Sequence, residues 1–134
     1  MKKILLLLAF TLHIGMLAAQ PYKIVFQLVT ADTSAHKSFM KQLNNILAEA
    51  PDTKIQVVCH GPGIALIRND VSIVQDKISK FMERGVDFTA CENTMKGRKI
   101  SKDKIMVKAT YTPAGIIEIV DKQSKGWAYI KAGY

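Results

Sequence analysis

Apolar runs of strand length alternate along residues 22–131 with longer segments in which apolar residues recur every three or four positions. The short runs are mostly β-branched, as in buried strands, and the longer segments have the period of amphipathic helices. Parallel strands need long crossovers, and right-handed crossovers place the connecting helices on the faces of the sheet. The alternation therefore predicts an α/β fold, a three-layer α/β/α sandwich around a five-stranded parallel sheet.

The boundaries of the predicted elements follow from these runs and their flanking residues. The five predicted strands are residues 22–30, 54–60, 86–91, 105–111 and 127–131. A first helix is predicted from Asp32 to the residue before Pro51. Ser72 and Gln75 have capping-box spacing at the start of a second helix, which Gly85 is suited to end in a left-handed conformation.

Two further helices are predicted in the second half of the chain. A short one opens at Glu92, directly after the third strand. The other has Thr112 as its N-cap and Pro113 in its first turn, and Gly126 ends it. The segment from Ile64 to Asn69 is predicted to be a loop or a short helix.

Residues 1–19 have the three zones of a secretory signal: the basic pair Lys2-Lys3, an apolar stretch, and small residues up to Ala19. We expect cleavage after Ala19, leaving residues 20–134 as one exported domain, periplasmic or secreted. Its 17 basic and 11 acidic residues give a net charge of +6. The apolar stretch is shorter than the roughly 20 residues that span a bilayer, so no stable membrane anchor is expected.

Cys91 is the residue that points most directly to chemistry. It stands where the third predicted strand runs into the helix that opens at Glu92. The unpaired N–H groups at a helix start stabilise an anion, so a thiol there ionises more readily and is a better nucleophile. The alternative is that Cys91 is a small buried hydrophobe, as free cysteines often are.

The second strand ends in Cys59-His60-Gly61, so this turn and Cys91 both lie at carboxyl ends of strands, where α/β proteins place their functional crevices. Cys59 is either an inert core residue or a second thiol that pairs with Cys91 if their geometry allows a disulfide. His60 could bond across the crevice, lower a thiol pKa as imidazolium, or brace the turn. Asn93 and Thr94 either seat a ligand or cap their helix.

Three segments together resemble the DsrE/DsrF-like family over essentially all of residues 22–131. They are Phe88-Thr-Ala-Cys91-Glu-Asn93-Thr-Met95, Cys59-His60-Gly61-Pro-Gly and Gly126-Trp127-Ala-Tyr129-Ile. The resemblance implies a parallel five-stranded α/β/α fold and small homo-oligomers such as trimers or hexamers. It also implies that Cys91 occupies the place of the cysteine that carries sulfur as a persulfide in sulfur-relay members. The predicted signal argues against cytoplasmic tRNA thiolation.

Other site classes are disfavoured. A zinc site needs about four ligands, and the soft donors after Ala19 are few: His36, Cys59, His60 and Cys91. The turn at 61–63 continues into neither a dinucleotide fingerprint nor a Walker motif, so no cofactor is expected. Residues 96–104 are strongly basic, and form either a solvated loop or a site for an anionic sulfur species or an acidic partner. Nucleic acid is not an expected partner, because no binding module is recognisable.

The leading hypothesis is an exported sulfur carrier or sulfurtransferase-like protein that forms a persulfide on Cys91 and works with a sulfur-donor or acceptor protein. The alternative is a non-catalytic oligomeric module that binds a small ligand or a protein, with an inert Cys91. Thiol–disulfide exchange between Cys59 and Cys91 is a third hypothesis, disfavoured because the chain has no Cys-x-x-Cys pair.

Overall fold

Five parallel strands form a single sheet in the order β4-β3-β2-β1-β5 in the computed structural model, which describes residues 20–133. The strands are β1 (Lys23–Leu28), β2 (Lys54–Cys59), β3 (Asp87–Cys91), β4 (Thr110–Thr112) and β5 (Ala128–Ala132). The helices are α1 (Thr33–Glu49), α2 (Gln75–Glu83), α3 (Glu92–Arg98) and α4 (Gly115–Ser124), with 3₁₀ helices at Gly61–Ile67 and Lys102–Lys104. The sheet and its flanking helices confirm the predicted fold class. The predicted signal, residues 1–19, lies outside the described residues.

The order of the strands explains how the helices are divided between the two faces. From β1 to β4 the chain moves steadily across the sheet, and right-handed crossovers put α1 and α2 on one face. From β4 the chain returns past β1 to the other edge, so α4 lies on the opposite face. We call these the broad face and the α4 face.

Most of the core lies on the broad face. Its fully buried side chains include Leu28, Phe39, Leu43, Val57, Ile78 and Phe88. The α4 face has a much smaller apolar cluster of Val25, Val58 and Ile119, with Trp127 partly buried against it. Because burial of apolar surface is the main favourable term in folding, the broad face contributes most of the stability. Among residues 20–133, no helix is both long enough and apolar enough to cross a bilayer.

The predicted fourth strand is wrong over most of its length. The sequence indicates residues 105–111, but β4 has only three residues, Thr110–Thr112. Ile105 and Met106 are buried without joining the sheet: Ile105 forms an antiparallel bridge with Arg68, and the Met106 N–H donates to the Ile67 carbonyl at 3.0 Å. A short apolar run indicates burial, and its periodicity does not distinguish a strand from a packed loop.

Two predicted helix starts also need correction. Thr112 is the last residue of β4, and the N-cap of α4 is Ala114. Ser72 does not cap α2, whose N-cap is Val74; the Gln75 side chain donates to the Ser72 carbonyl at 3.0 Å, so the two residues form a local turn instead of a reciprocal capping box. The predicted left-handed Gly85 is confirmed, with φ of +86°.

Candidate functional site

Cys91 is the last residue of β3 and immediately precedes α3. Its strand partner on β4 is Thr112, and its side chain lies on the α4 face. The side chain is almost covered, with 5% of the residue exposed. The Cys91 Sγ atom accepts a hydrogen bond of 3.2 Å from the N–H of Gly115, the first residue of α4. The thiol therefore lies between the end of its own strand and the beginning of the helix above it.

The environment of Cys91 favours its thiolate. Burial by itself raises the pKa of the thiol, but hydrogen bonds from the Thr94 hydroxyl and from the N–H groups of Thr94, Gly115 and Asn93 lower it, and the net pKa is below its ordinary value. Donors that point at a sulfur stabilise its charged form more than its neutral form. These donors come from two separate helix starts, so the site depends on how α3 and α4 are placed.

Gly115 is a site residue that the sequence analysis missed. A Cβ atom on this residue would lie 3.1 Å from Val58 Cγ1 and 3.3 Å from the Cβ atoms of both Cys91 and His60. The first N–H groups of a helix have no partner within the helix, so the Gly115 N–H is free to bond the sulfur. The sequence did contain one signal for this role, a glycine close to the predicted start of a helix. Glycine at such a position can indicate that another group approaches the backbone too closely for a side chain to fit.

Hydrogen bonds near the thiol connect the segments that follow the strands, and they involve Gly61, Asn93 and Thr94. The Gly61 N–H donates to the Thr94 hydroxyl oxygen at 2.9 Å, with Gly61 in a left-handed conformation at φ +52°. The Asn93 N–H donates to the Pro113 carbonyl at 3.2 Å, and the Asn93 side chain is exposed. Asn93 thus contributes to the site through its backbone, and Thr94 contributes through its hydroxyl.

His60 follows β2 and faces α4, next to Gly115. Its Nε2 atom is 2.9 Å from Nε2 of Gln27, whose Oε1 atom accepts from the Tyr129 hydroxyl. An amide nitrogen is a donor only, so His60 Nε2 accepts and the ring is neutral with its proton on Nδ1. Burial lowers the pKa of His60 and favours the same neutral form. This geometry gives more support to a bracing role for His60 than to an imidazolium that activates the thiol.

Cys59 is fully buried on the broad face, where it belongs to the main core. Its strand partner is Ala90, so Cys59 and Cys91 are one register position apart and point to opposite faces of the sheet. Both cysteines are free thiols. Burial, assisted by the negative charge of Asp87, raises the pKa of Cys59 far above its ordinary value. The geometry therefore gives no support to a disulfide or to thiol–disulfide exchange between the two.

The basic residues of the 96–104 segment lie in solvent. The five exposed cations are Lys96, Arg98, Lys99, Lys102 and Lys104. Lys102 pairs with Glu92 at 3.3 Å and lies 4.7 Å from the centre of the Tyr111 ring. Within residues 20–133, no group of three or more His, Cys, Asp or Glu side chains is placed to hold a metal ion.

Comparison with known proteins gives a consistent picture. A family model described as the DsrE/DsrF-like family matches residues 23–132. The structure resembles that of MTH1491, a protein of unknown function from Methanobacterium thermoautotrophicum, with 29% identity and a TM-score of 0.78, covering 82% of this chain and 98% of that one. It also resembles BT1422, a conserved protein of unknown function from Bacteroides thetaiotaomicron, with 15% identity and a TM-score of 0.66, covering 81% and 93%. This second likeness shows the fold alone. No curated protein matches the chain.

Proposed function

This chain belongs to the DsrE/DsrF-like family, and we propose that it is a sulfur carrier, with sulfurtransferase-like chemistry, that holds sulfur as a persulfide on Cys91. The observation that carries the proposal is the position of the Cys91 sulfur at the end of β3, where it accepts a hydrogen bond of 3.2 Å from the Gly115 N–H at the start of α4. Groups of Asn93 and Thr94 at the start of α3 further lower the pKa of the thiol. The same donors that stabilise a thiolate would stabilise the anionic persulfide formed from it.

The proposed reaction is a sulfur transfer in which atoms and electrons balance. The Cys91 thiolate attacks a sulfane sulfur of a polysulfide or of a donor protein's persulfide. A new S–S bond forms on Cys91 while the S–S bond of the donor breaks, and its electron pair leaves with the shortened donor, as a shorter polysulfide or hydrosulfide anion or as the thiolate of a donor protein. Delivery to an acceptor thiolate is the same exchange in reverse, so no external oxidant or reductant is required.

The covered position of Cys91 restricts which donors can reach it. With 5% of the residue exposed, a small polysulfide anion has better access than a bulky reagent. Delivery from a donor protein, or to an acceptor protein, would need the start of α4 to move aside. We therefore expect small sulfane-sulfur compounds to be the more effective donors in vitro.

Export is part of the proposal. The zones of residues 1–19 support a secretory signal cleaved near Ala19, which would place residues 20–134 in the periplasm or outside the cell. The test is to express the full chain, separate the cell fractions and sequence the N-terminus of the protein recovered. A protein that retains Met1 in the cytoplasm would contradict this part of the proposal.

We also propose that the protein is a homo-oligomer, a trimer or a hexamer. The support is an apolar outer surface on α4, where Ile116, Ile117 and Val120 are each more than half exposed. Exposed apolar side chains grouped in this way are typical of interaction sites. Light scattering should show a multimer that Ile117→Glu weakens, while Ile73→Glu, at another exposed isoleucine, leaves the mass unchanged. A monomeric wild-type protein would contradict the proposal.

The decisive experiment is mass spectrometry after brief exposure of the protein to inorganic polysulfide and trapping of thiols. We expect added sulfur on the peptide that contains Cys91, removable by a reductant. Cys91→Ser should abolish the addition, and Cys59→Ser, the matched control, should leave it intact. Sulfur found equally on both cysteines, or on neither, would contradict a carrier role for Cys91.

A second candidate is the non-catalytic binding module with an inert Cys91. The covered thiol favours it, as does a groove of about 550 Å³ between α1 and α2, on the broad face. Met40 and Phe81 contribute apolar side chains to this groove, and its cations are Lys41, Lys77, Lys80 and Arg84. Such a lining suits an anionic ligand with an apolar part. Slow alkylation of Cys91 in the native protein, with no sulfur uptake, would favour this second function.

A further inference from the structure

Helix α4 places a hydrogen-bond donor on the Cys91 sulfur, yet it has few apolar contacts with the sheet. Of its ten residues, the two that are buried are Gly115 and Ile119. Gly115 has no side chain to pack, so Ile119 supplies most of the apolar contact, within the small cluster of the α4 face. Because α4 has so few apolar contacts with the sheet, a further contact is needed to hold its first N–H group at a defined distance from the sulfur.

A partly buried polar bridge supplies that contact. The Glu118 Oε1 atom accepts a hydrogen bond of 2.9 Å from the side-chain Nε2 of Gln56 on β2. Gln56 is 3% exposed, whereas the Glu118 side chain is 24% exposed and its Oε1 atom also lies 3.7 Å from Lys122 Nζ, so the bond is partly shielded from solvent. Hydrogen bonds to charged groups in such surroundings are stronger than those between neutral groups at the surface. Glu118 lies three residues after Gly115, about one helical turn along α4.

The donor side of the bridge is itself fixed in place by β3. The Gln56 Nε2 atom is 2.9 Å from the Thr89 hydroxyl and 3.3 Å from Asp87 Oδ2. The Thr110 hydroxyl on β4 donates to the other Asp87 oxygen at 2.5 Å and lies 2.9 Å from the Thr89 hydroxyl. These contacts hold the Gln56 amide in one orientation, pointing to α4.

The contacts close into a loop. Thr89 is two residues before Cys91 and lies on the same face of β3; it is joined through Gln56 to Glu118, and one turn of helix leads back to Gly115. We propose that Glu118 and Gln56 are positioning residues that hold the Gly115 N–H on the Cys91 sulfur. This role deepens the proposed function, because it rests on Cys91 being the reactive group.

The test uses the pH profile of Cys91 alkylation by iodoacetamide, which reports the thiolate and requires no sulfur donor. Glu118→Ala removes the acceptor of the bridge, and we expect the midpoint of the profile to rise by about one pH unit, the effect of weakening one hydrogen bond to a charged sulfur. Loss of the carboxylate charge alone would shift the midpoint the opposite way, because a negative charge disfavours the thiolate. The direction of the change therefore distinguishes positioning from simple electrostatics.

Two further variants sharpen the test. Glu118→Gln keeps an oxygen that can accept from Gln56, and its midpoint should stay at or below that of the wild type. Asp121→Ala, the matched control, removes a carboxylate that forms an ion pair at 2.7 Å with Lys125, the residue directly after α4, without touching the bridge. Its midpoint should be unchanged. A rise in Asp121→Ala equal to that in Glu118→Ala would overturn the proposal.

Cys59 serves as the internal control for folding, because it is buried on the opposite face. A raised Cys91 midpoint with Cys59 still unreactive supports positioning. If Cys59 reacts in Glu118→Ala, that variant is not properly folded and Gln56→Met is used in its place. Gln56→Met removes the hydrogen-bond donor and keeps the side-chain length, and the alkylation midpoint of its Cys91 must rise. An unchanged midpoint in the folded variant overturns the proposal. If these shifts occur but wild-type Cys91 takes up no sulfur, the proposed function fails while the positioning role stands.

Discussion

Cys59 and Cys91 end two neighbouring strands, one register position apart, and both are buried, yet they face opposite sides of the sheet and their pKa values shift in opposite directions. Cys59 points into the thick layer of side chains under α1 and α2, where burial raises its pKa. Cys91 points to the other face, where N–H groups from two helix starts lower its pKa. A shift of one residue along a strand reverses the face, so neighbouring thiols of one sheet can be an inert core residue and a stabilised anion.

The largest expected difference between the two thiols is in their rates of alkylation. In the native protein at neutral pH, iodoacetamide should modify Cys91 directly, whereas Cys59 should react only in molecules that have transiently unfolded. The alkylation rate of Cys59 should therefore be lower by a factor on the order of a thousand or more. Peptide mass spectrometry of timed samples measures both rates. In denaturant the two rates should become similar. Comparable alkylation rates of the two cysteines in the native protein would contradict the difference that we infer between the two faces.

A methyl group placed at Gly115 should disturb the Cys91 side alone. Gly115→Ala puts a Cβ within 3.3 Å of Val58, Cys91 and His60, so we expect it to lower the free energy of unfolding by about 1–3 kcal/mol and to raise the pKa of Cys91. Urea denaturation and the alkylation pH profile measure the two effects. The matched control is Gly97→Ala in α3, where a Cβ meets nothing within 4 Å and should stabilise by about 0.5–1 kcal/mol.

The two thiols should also give opposite slopes to the dependence of stability on pH. The pKa of Cys91 is lower in the folded than in the unfolded chain, so ionisation of Cys91 adds to the free energy of unfolding. This stabilisation is fully present above the pKa of the unfolded chain, about 8.5, and is lost as pH falls through the folded pKa. The raised pKa of Cys59 has the reverse effect, and its contribution falls as pH rises above about 8.5.

Denaturation of Cys91→Ser and Cys59→Ala between neutral and alkaline pH measures these slopes. Relative to the wild type, Cys91→Ser should lose stability as pH rises, and Cys59→Ala should gain it. If the stability difference from the wild type changed with pH in the same direction for both variants, the two faces of the sheet would not shift the pKa values of their thiols in opposite directions.

The smallest effect is expected from the exposed cations near the site. Lys102→Ala removes the 3.3 Å ion pair with Glu92, and such solvent-exposed pairs contribute about 0–1 kcal/mol. The free energy of unfolding should change by less than about 1 kcal/mol, and the alkylation midpoint of Cys91 should stay constant. A salt-dependent change in that midpoint would show that long-range charge, as well as the hydrogen-bond donors, controls the thiol.

The fold class was predictable because its signals are local. Strand-length apolar runs and helical periodicity lie in consecutive residues, and parallel topology follows from their alternation. The errors occur where burial comes from elsewhere in the structure. Ile105 and Met106 have the composition of a strand, but they pack beside the 3₁₀ helix at Gly61–Ile67 and leave β4 with three residues.

The sequence by itself determined that Cys91 stands at a strand–helix junction and that Cys59-His60-Gly61 ends another strand, because both facts depend on the order of residues along the chain. Only the tertiary structure decided that the two thiols face opposite sides of the sheet, that Gly115 donates to the Cys91 sulfur, and that Glu118 bonds Gln56. Those contacts join residues 24 to 62 positions apart. They depend on strand register and on which face a crossover helix covers, and neither property is encoded in the neighbourhood of any one residue.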